Sequence, residues 1–266
     1  MRNRIFIPLL VLLAVSCAPL PKLVILHLND THSHFEPERS GRNAGRGGVI
    51  ERASYIDSIR TRYGKDRVLL VHGGDFGQGT SYFTLLRGEV ETDMINALGY
   101  DCTALGNHEF DNGIEELTER VKKMKTEVVC SNLDLSQFEL GKYVKPYTII
   151  NRGGLRIGII GITPDLGSLV SKNISARMPQ SGYVESVNKY APLLRKECDM
   201  VILISHAGIA ADRLNVPQTH CLDLVIGAHS HTFMDEMEVL RDADGRSVPM
   251  ITDGCFGYNI GKIEVW

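Results

Sequence analysis

Short apolar runs that break off into polar clusters recur along this 266-residue chain. Leu23-Val24-Ile25-Leu26-His27-Leu28 gives way to Asn29-Asp30-Thr31-His32-Ser33-His34. Val68-Leu69-Leu70-Val71 ends in His72-Gly73-Gly74-Asp75, and Cys102-Thr103-Ala104 leads to Gly106-Asn107-His108-Glu109-Phe110-Asp111. Val201-Ile202-Leu203-Ile204 is followed by Ser205-His206-Ala207-Gly208, and Leu224-Val225-Ile226 by Gly227-Ala228-His229-Ser230-His231. Unbroken apolar runs of this kind predict strands covered on both faces, as in a parallel sheet between helices.

The segments between them predict the cover. Residues 49–63 carry Ile50, Ala53, Ile56 and Ile59 at helical spacing, and 115–124 reads as an amphipathic helix. Helices are also expected over 82–87, 91–98 and 183–196, the last in spite of Pro192. Gly153-Gly154 between 147–152 and 155–162 reads as a hairpin turn, as does Asp242-Ala243-Asp244-Gly245 between 239–240 and 248–251. Val128-Val129-Cys130 is a short strand, 257–265 a closing strand and 165–181 an irregular connection. With no internal repeat and no linker, 23–266 is expected to form a single domain.

Composition narrows the class. Hydrophobic content of 43% and charged content of 23% are ordinary for a soluble globular protein. The net charge is −3, without a sustained basic block, which disfavours a nucleic-acid polymer as partner. Met1 to Arg4 is basic and 5–15 is an apolar run broken by Pro8, too short to span a bilayer and suited to a targeting leader. Leu13-Ala14-Val15-Ser16-Cys17 resembles a bacterial lipoprotein cleavage site, although Ala14 stands where leucine is usual. That resemblance implies a leader over 1–17, Cys17 lipidated as the first mature residue and 18–22 as a tether. The protein would then be exported and lipid-anchored in the cell envelope, periplasmic or outer-membrane associated. The alternative is an ordinary secretory peptide in which Cys17 is incidental. Cys102, Cys130, Cys198, Cys221 and Cys255 form no CxxC pair, and their odd number leaves at least one free thiol. A Cys198–Cys221 disulfide is one option; most of the five read as buried structural thiols.

The polar clusters carry the chemistry. Asp30 and His32 alternate on an extended chain and so point the same way, as do His229 and His231. Glycines ahead of Asp75 let the backbone turn tightly. Parallel strands of one sheet would bring these ends, with Asn107, His108 and His206, to a common edge. Mixed oxygen and imidazole donors suit Zn²⁺, Mn²⁺, Fe or Ni better than Ca²⁺ or Mg²⁺ alone, and there are too many for one ion.

Asp30-x-His32, Gly74-Asp75, Gly106-Asn107-His108-Glu109, Ser205-His206 and His229-Ser230-His231, in this order, resemble the motifs of the calcineurin-like metallophosphoesterase family. Gly47-Gly48, Phe76-Gly77-Gln78-Gly79 and Phe110-Asp111 extend the likeness to the catalytic domain of bacterial 5′-nucleotidases, over roughly 23–265. The resemblance implies a four-layer α/β/β/α sandwich, two mixed sheets between helices. It implies two divalent metal ions, with Zn, Mn, Fe, Co and Ni all admissible. One would be held by Asp30, His32, Asp75 and His231, the other by Asp75, Asn107, His206 and His229. His108 and Asp111 would form a catalytic dyad. The implied reaction is hydrolysis of phosphate esters, foremost nucleotide phosphomonoesters. Paired cations acidify a bridging water and clamp phosphoryl oxygens.

In the nucleotidases a second domain supplies the base clamp and phosphate-binding arginines, and the likeness does not extend to it. Three expectations follow: a nucleotidase completed by a separately encoded substrate-binding partner, a stand-alone phosphatase or phosphodiesterase of loose specificity, or a metal-binding subunit with little turnover. In the second, loops 36–48 and 165–181 would contact substrate. Arg39, Arg42 and Arg46 of the first loop are read chiefly as solvated. His27, His34, His72 and His220 are left over and read as structural or surface groups, with His34 and His72 near the ligand clusters.

Overall fold

The computed structural model describes residues 19–266, so the leader expected over 1–17 lies outside the described residues. In chain order the strands are β1 (Leu23–Leu28), β2 (Val68–His72), β3 (Cys102–Ala104), β4 (Glu127–Val129), β5 (Val144–Lys145), β6 (Tyr147–Arg152), β7 (Leu155–Ile162), β8 (Met200–Ser205), β9 (Leu224–Gly227), β10 (Glu238–Arg241), β11 (Ser247–Ile251) and β12 (Gly261–Val265). The helices are α1 (Val49–Tyr63), α2 (Ser81–Leu86), α3 (Glu89–Leu98), α4 (Ile114–Lys123), α5 (Lys172–Ser175), α6 (Tyr183–Leu194) and α7 (Ile209–Asn215).

These strands form two six-stranded mixed sheets, ordered β12-β1-β2-β3-β4-β5 and β10-β11-β9-β8-β7-β6. Alternation along β1 explains the layering. Leu23 and Ile25 face the second sheet and pack with Ile157, Ile159, Ile202, Ile204 and Ile226, while Val24, Leu26 and Leu28 face Ile56, Ile59, Tyr63 and Ile95 of α1 and α3. On the far side, Ile160, Leu203 and Val225 pack under Val187, Ala191 and Leu194 of α6. Burial of each such side chain contributes about 1.5–3 kcal/mol. The result is the α/β/β/α sandwich expected from the family likeness.

Several elements differ from the sequence reading. The five strands whose ends carry the candidate donors do not share one sheet: β1, β2 and β3 lie in the first and β8 and β9 in the second. Unbroken apolar runs suit an inner layer of either sheet, so pattern alone does not say which strands pair. Ile50 is 71% exposed, because the buried ridge of α1 runs through Arg52, Ile56, Ile59 and Tyr63. The closing strand is shorter than 257–265, since Phe256 and Gly257 adopt left-handed backbone (φ 59° and 63°) and keep the chain in a loop until Gly261. The 165–181 connection contains the four-residue α5, and α7 and β5 were not anticipated. The β6–β7 hairpin is as expected: Arg152 pairs with Leu155, and Gly153 and Gly154 both take positive φ. All five cysteines of the described residues are free thiols, including Cys198 and Cys221. Pro21, in the expected tether, is buried and its carbonyl accepts from Arg67. Among the described residues, no helix is long and apolar enough to cross a membrane.

Candidate metal centre

The ends of β1, β2, β3, β8 and β9 converge at one edge of the sandwich and carry every residue singled out there. Asp30, His32 and His231 form one group of potential metal donors, and Asp75, His206 and His229 a second. Within the first, Nε2 of His231 is 3.5 Å and Nε2 of His32 3.9 Å from Asp30 Oδ1, and the two imidazole nitrogens lie 3.0 Å apart. In the second, His206 Nε2 lies 3.0 Å from Asp75 Oδ2. Asp75 Oδ2 is also 3.9 Å from His32 Nε2, and Asp30 Oδ1 is 3.7 Å from His206 Nε2, so the groups abut.

The backbone around these residues is unusual. Asp30, His32, Asp75, His229 and His231 all have left-handed φ, from 45° to 70°. Such conformations cost about 1–3 kcal/mol each and persist where surrounding contacts impose them. Those contacts are visible. The N–H groups of Asp30 and His32 donate to the carbonyls of Gly74 and Asp75 at 3.0 Å, and the Phe256 N–H donates to the Asp30 carbonyl at 2.7 Å. Asn29 Nδ2 and the His229 N–H donate to Asp30 Oδ2 at 2.7 and 2.9 Å. That fixes the carboxylate with Oδ1 turned inward.

Gly106 allows the β2 and β3 loops to meet. A Cβ there would lie 2.1 Å from Asp75 Oδ1. Gly106→Ala is therefore expected to destabilise by about 1–3 kcal/mol and to weaken Mn²⁺ binding by displacing Asp75. Thermal melts and calorimetry check both; an unchanged melt with wild-type Mn²⁺ affinity would contradict the close approach.

The donors fit cations. Asp30 Oδ1, Asn107 Oδ1 and His206 Nε2 are buried and make no hydrogen bond within the protein. Buried polar atoms are ordinarily satisfied, and two orphaned oxygen acceptors beside an imidazole nitrogen 3.0 Å from the Asp75 carboxylate suit bound cations. His206 is pre-oriented: its Nδ1 donates to the Gly73 carbonyl at 2.8 Å, leaving Nε2 toward the carboxylates. Burial alone would lower the pKa of His206, but the Asp75 and Asp30 carboxylates outweigh it and push it up to about 10. Burial likewise opposes ionisation of Asp75, yet His206 and its neighbouring histidines hold it well below the usual carboxylate range. Asp30 and the Cys255 thiol push His231 up to about 10. His32 and His229 are lowered, chiefly by burial.

His108 and Asp111 flank this cluster on a 3-10 turn (His108–Phe110). His108 Nδ1 donates to Asp111 Oδ2 at 2.8 Å, and its ring meets His32 edge-on, with centroids 5.3 Å apart. The hydrogen bond to Asp111 raises the His108 pKa against the effect of burial. The cleft above the site, about 350 Å³, is lined by His32, His34, Asp75, Gln78, Gly79, His108, His229, His231 and Phe256. Among the described residues it has no arginine or lysine in its lining, so Arg39, Arg42 and Arg46 lie elsewhere. Arg39 pairs with Glu36, and Arg46 binds Asn259.

The leftover histidines divide. His72 is buried and its pKa falls to about 3 through burial, so it is neutral. Its Nδ1 accepts the Gly74 N–H at 3.1 Å, which places the proton on Nε2, 3.1 Å from Thr31 Oγ1. His34 stacks on Phe256 with ring centroids 4.1 Å apart. His27 is buried beside β12, and His220 pairs with exposed Asp244. The sequence reading passed over Asn29, Phe256 and the side chain of Glu109. Asn29 and Glu109 stand beside singled-out residues, whereas Phe256 has no sequence signal.

The comparisons with known proteins agree with this geometry. The family described as calcineurin-like phosphoesterase matches over residues 23–233. A snake venom 5′-nucleotidase from Gloydius brevicauda is 32% identical over 267 residues, covering 92% of this chain and 45% of that protein. A 5′-nucleotidase precursor from Thermus thermophilus superposes with a TM-score of 0.84 at 29% identity, covering 90% of this chain and 50% of that one. A Haemophilus influenzae NAD nucleotidase superposes with a TM-score of 0.79 at 26% identity, covering 90% of this chain and 46% of the other. The chain spans about half the length of the curated relatives it matches.

Proposed function

This chain belongs to the calcineurin-like phosphoesterase family, and from that premise we propose that it is a metal-dependent phosphoric ester hydrolase acting on nucleotide phosphomonoesters. The observation that carries the reading is the abutment of two donor groups, Asp30-His32-His231 and Asp75-His206-His229, beside the His108–Asp111 pair. In this reading Asp30, His32, Asp75 and His231 would hold one divalent cation. Asp75, Asn107, His206 and His229 would hold the other, with Asp75 shared. Imidazole and oxygen donors together suit Zn, Mn, Fe, Co or Ni. When bound, the pair supplies an acidified water and a clamp for the phosphoryl oxygens.

The chain's own groups do the rest. The Gly73 carbonyl keeps His206 in the tautomer that presents Nε2. His108 offers Nε2–H to the charge developing on the phosphoryl or leaving-group oxygen, while Asp111 fixes its ring and stabilises the imidazolium.

Metal affinity is expected to rise with pH. In the metal-free protein His206 and His231 hold protons up to about pH 10, and a ligating imidazole must be neutral. Each ion should displace about one proton, so apparent affinity climbs roughly tenfold per pH unit and ion from pH 7 to 9. Calorimetry of Mn²⁺ binding in buffers of different ionisation enthalpy measures this; binding without proton release would contradict it.

The nucleotide assignment is supported by the relatives' names, and the cleft itself is less selective. Its lining offers no lysine or arginine among the described residues. We therefore infer that groups gripping phosphate and base come from a unit corresponding to the other half of the relatives, on a continuing chain or a separate partner. The same open cleft favours a second reading, a phosphatase or phosphodiesterase of loose specificity. We also infer from the leader pattern that 23–266 acts as one catalytic domain held at the bacterial envelope through Cys17. Hydrolysis of 5′-AMP, p-nitrophenyl phosphate and bis(p-nitrophenyl) phosphate tests these readings. Selective 5′-AMP turnover by this chain alone supports the nucleotidase and overturns the inference of an outside gripping unit. Turnover of the aryl esters alone supports a nucleotidase centre that lacks that unit. Comparable rates on all three support loose specificity, and no turnover leaves a metal-binding subunit.

A further inference from the structure

We propose that Glu109 is a positioning residue that sets Asp75 and the His108 turn in place before any cation binds; this rests on the dimetal reading above. Glu109 is completely buried. Its Oε2 accepts the backbone N–H groups of Asp75 at 2.8 Å and Gly106 at 2.7 Å. Its Oε1 accepts those of Phe76 at 3.0 Å and Gly77 at 3.3 Å. One carboxylate thus gathers four N–H groups from two separate loops, those following β2 and β3.

The arrangement closes on itself. Asp75 Oδ1 accepts the His108 N–H at 2.8 Å, so the loop that Glu109 holds in turn holds the residue preceding Glu109. Arg120 of α4, also buried, donates from Nη2 to the Glu109 carbonyl at 2.5 Å and ties the turn to the helix layer. Asp75 sits at a left-handed φ of 54°, a conformation that needs imposed contacts. Glu109 supplies them at Asp75 and its two successors. Glu109 neither lines the cleft nor belongs to either donor group, so its effect passes through Asp75, Gly106 and the His108 turn.

Glu109→Gln tests this because it keeps size and shape. Its amide nitrogen must face two backbone N–H groups that now meet an oxygen. Partners of this kind change metal affinity or activity by about 10- to 100-fold. We expect Glu109→Gln to bind Mn²⁺ at least tenfold more weakly by calorimetry and to lower kcat on bis(p-nitrophenyl) phosphate at saturating Mn²⁺, with little change in KM. If that variant does not fold, Glu109→Asp, one methylene shorter, is measured in the same way. Alongside, hydrogen exchange is followed in the metal-free wild-type protein, where the amides of Asp75, Phe76, Gly77 and Gly106 should be protected. A lowered melting temperature with wild-type Mn²⁺ affinity and kcat would assign Glu109 a purely structural role and overturn the proposal. Fast exchange at the four amides in the metal-free protein would overturn it too. A wild-type protein that shows these protected amides but neither binds Mn²⁺ nor hydrolyses ester would instead count against the dimetal reading.

Discussion

Asp75→Asn is expected to lower kcat by roughly 10²- to 10³-fold, the scale of losing a main electrostatic element of a site, and to reduce bound metal from two ions per chain towards one. The Asp75 carboxylate touches both donor groups and the His108 turn at once. Its Oδ2 lies 3.0 Å from His206 Nε2 and 3.9 Å from His32 Nε2, one residue from each donor group, and its Oδ1 accepts the His108 N–H. Asparagine can retain the bond to His108 but not the negative charge that two cations would share. The fold should survive, because the backbone N–H of residue 75 still binds Glu109. Metal analysis after gel filtration, with kcat on bis(p-nitrophenyl) phosphate, checks the prediction. Two retained ions with wild-type turnover would show that the groups do not share this carboxylate.

The second large effect is at the flank. His108→Ala is expected to lower kcat at least tenfold, and on the order of 10²-fold if His108 acts as a general acid, with metal content unchanged. His108 belongs to neither donor group, and its ring is about one-third exposed, open to a substrate. Asp111→Asn gives the matching pH test. The hydrogen bond to Asp111 is the chief cause that raises the His108 pKa. With protonated His108 as the active form, the rate falls as pH rises through that pKa. Loss of Asp111 should move the falling limb of the kcat profile to lower pH. A limb that stays in place, or full activity of His108→Ala with full metal content, would remove His108 from the reaction.

Much of this centre could be read from the sequence, for a physical reason. A strand buried on both faces is mostly apolar until it leaves the core, with His27 in β1 and His72 in β2 as buried exceptions, so the polar cluster after each run marks its end. Asp30, Asp75, Asn107, His206 and His229 stood out in this way. What the pattern lacks is pairing. Hydrophobic runs do not say that β8 and β9 lie across the sandwich from β1, β2 and β3, and the site depends on that crossing. Conformation is equally hidden. The alternation of Asp30 with His32, and of His229 with His231, suggested an extended chain that aims both side chains one way. In the structure each of these residues has left-handed backbone, and convergence comes from loop hydrogen bonds. Phe256 was illegible because its placement depends on a bond from its N–H to the Asp30 carbonyl, over two hundred positions away. Ile50 misled because a spacing of three, repeated from 50 to 59, drifts about half a turn around a 3.6-residue helix and leaves Ile50 off the buried ridge through Arg52, Ile56, Ile59 and Tyr63.

The most direct test of the account is a metal titration of chelated protein beginning after Cys17, followed by both bound Mn²⁺ and hydrolysis of bis(p-nitrophenyl) phosphate and 5′-AMP. The dimetal reading predicts that turnover of at least one ester appears as the second equivalent binds and is lost again on chelation. A folded protein that binds no more than one ion, or hydrolyses neither ester with Mn²⁺, Co²⁺ or Zn²⁺, would contradict it.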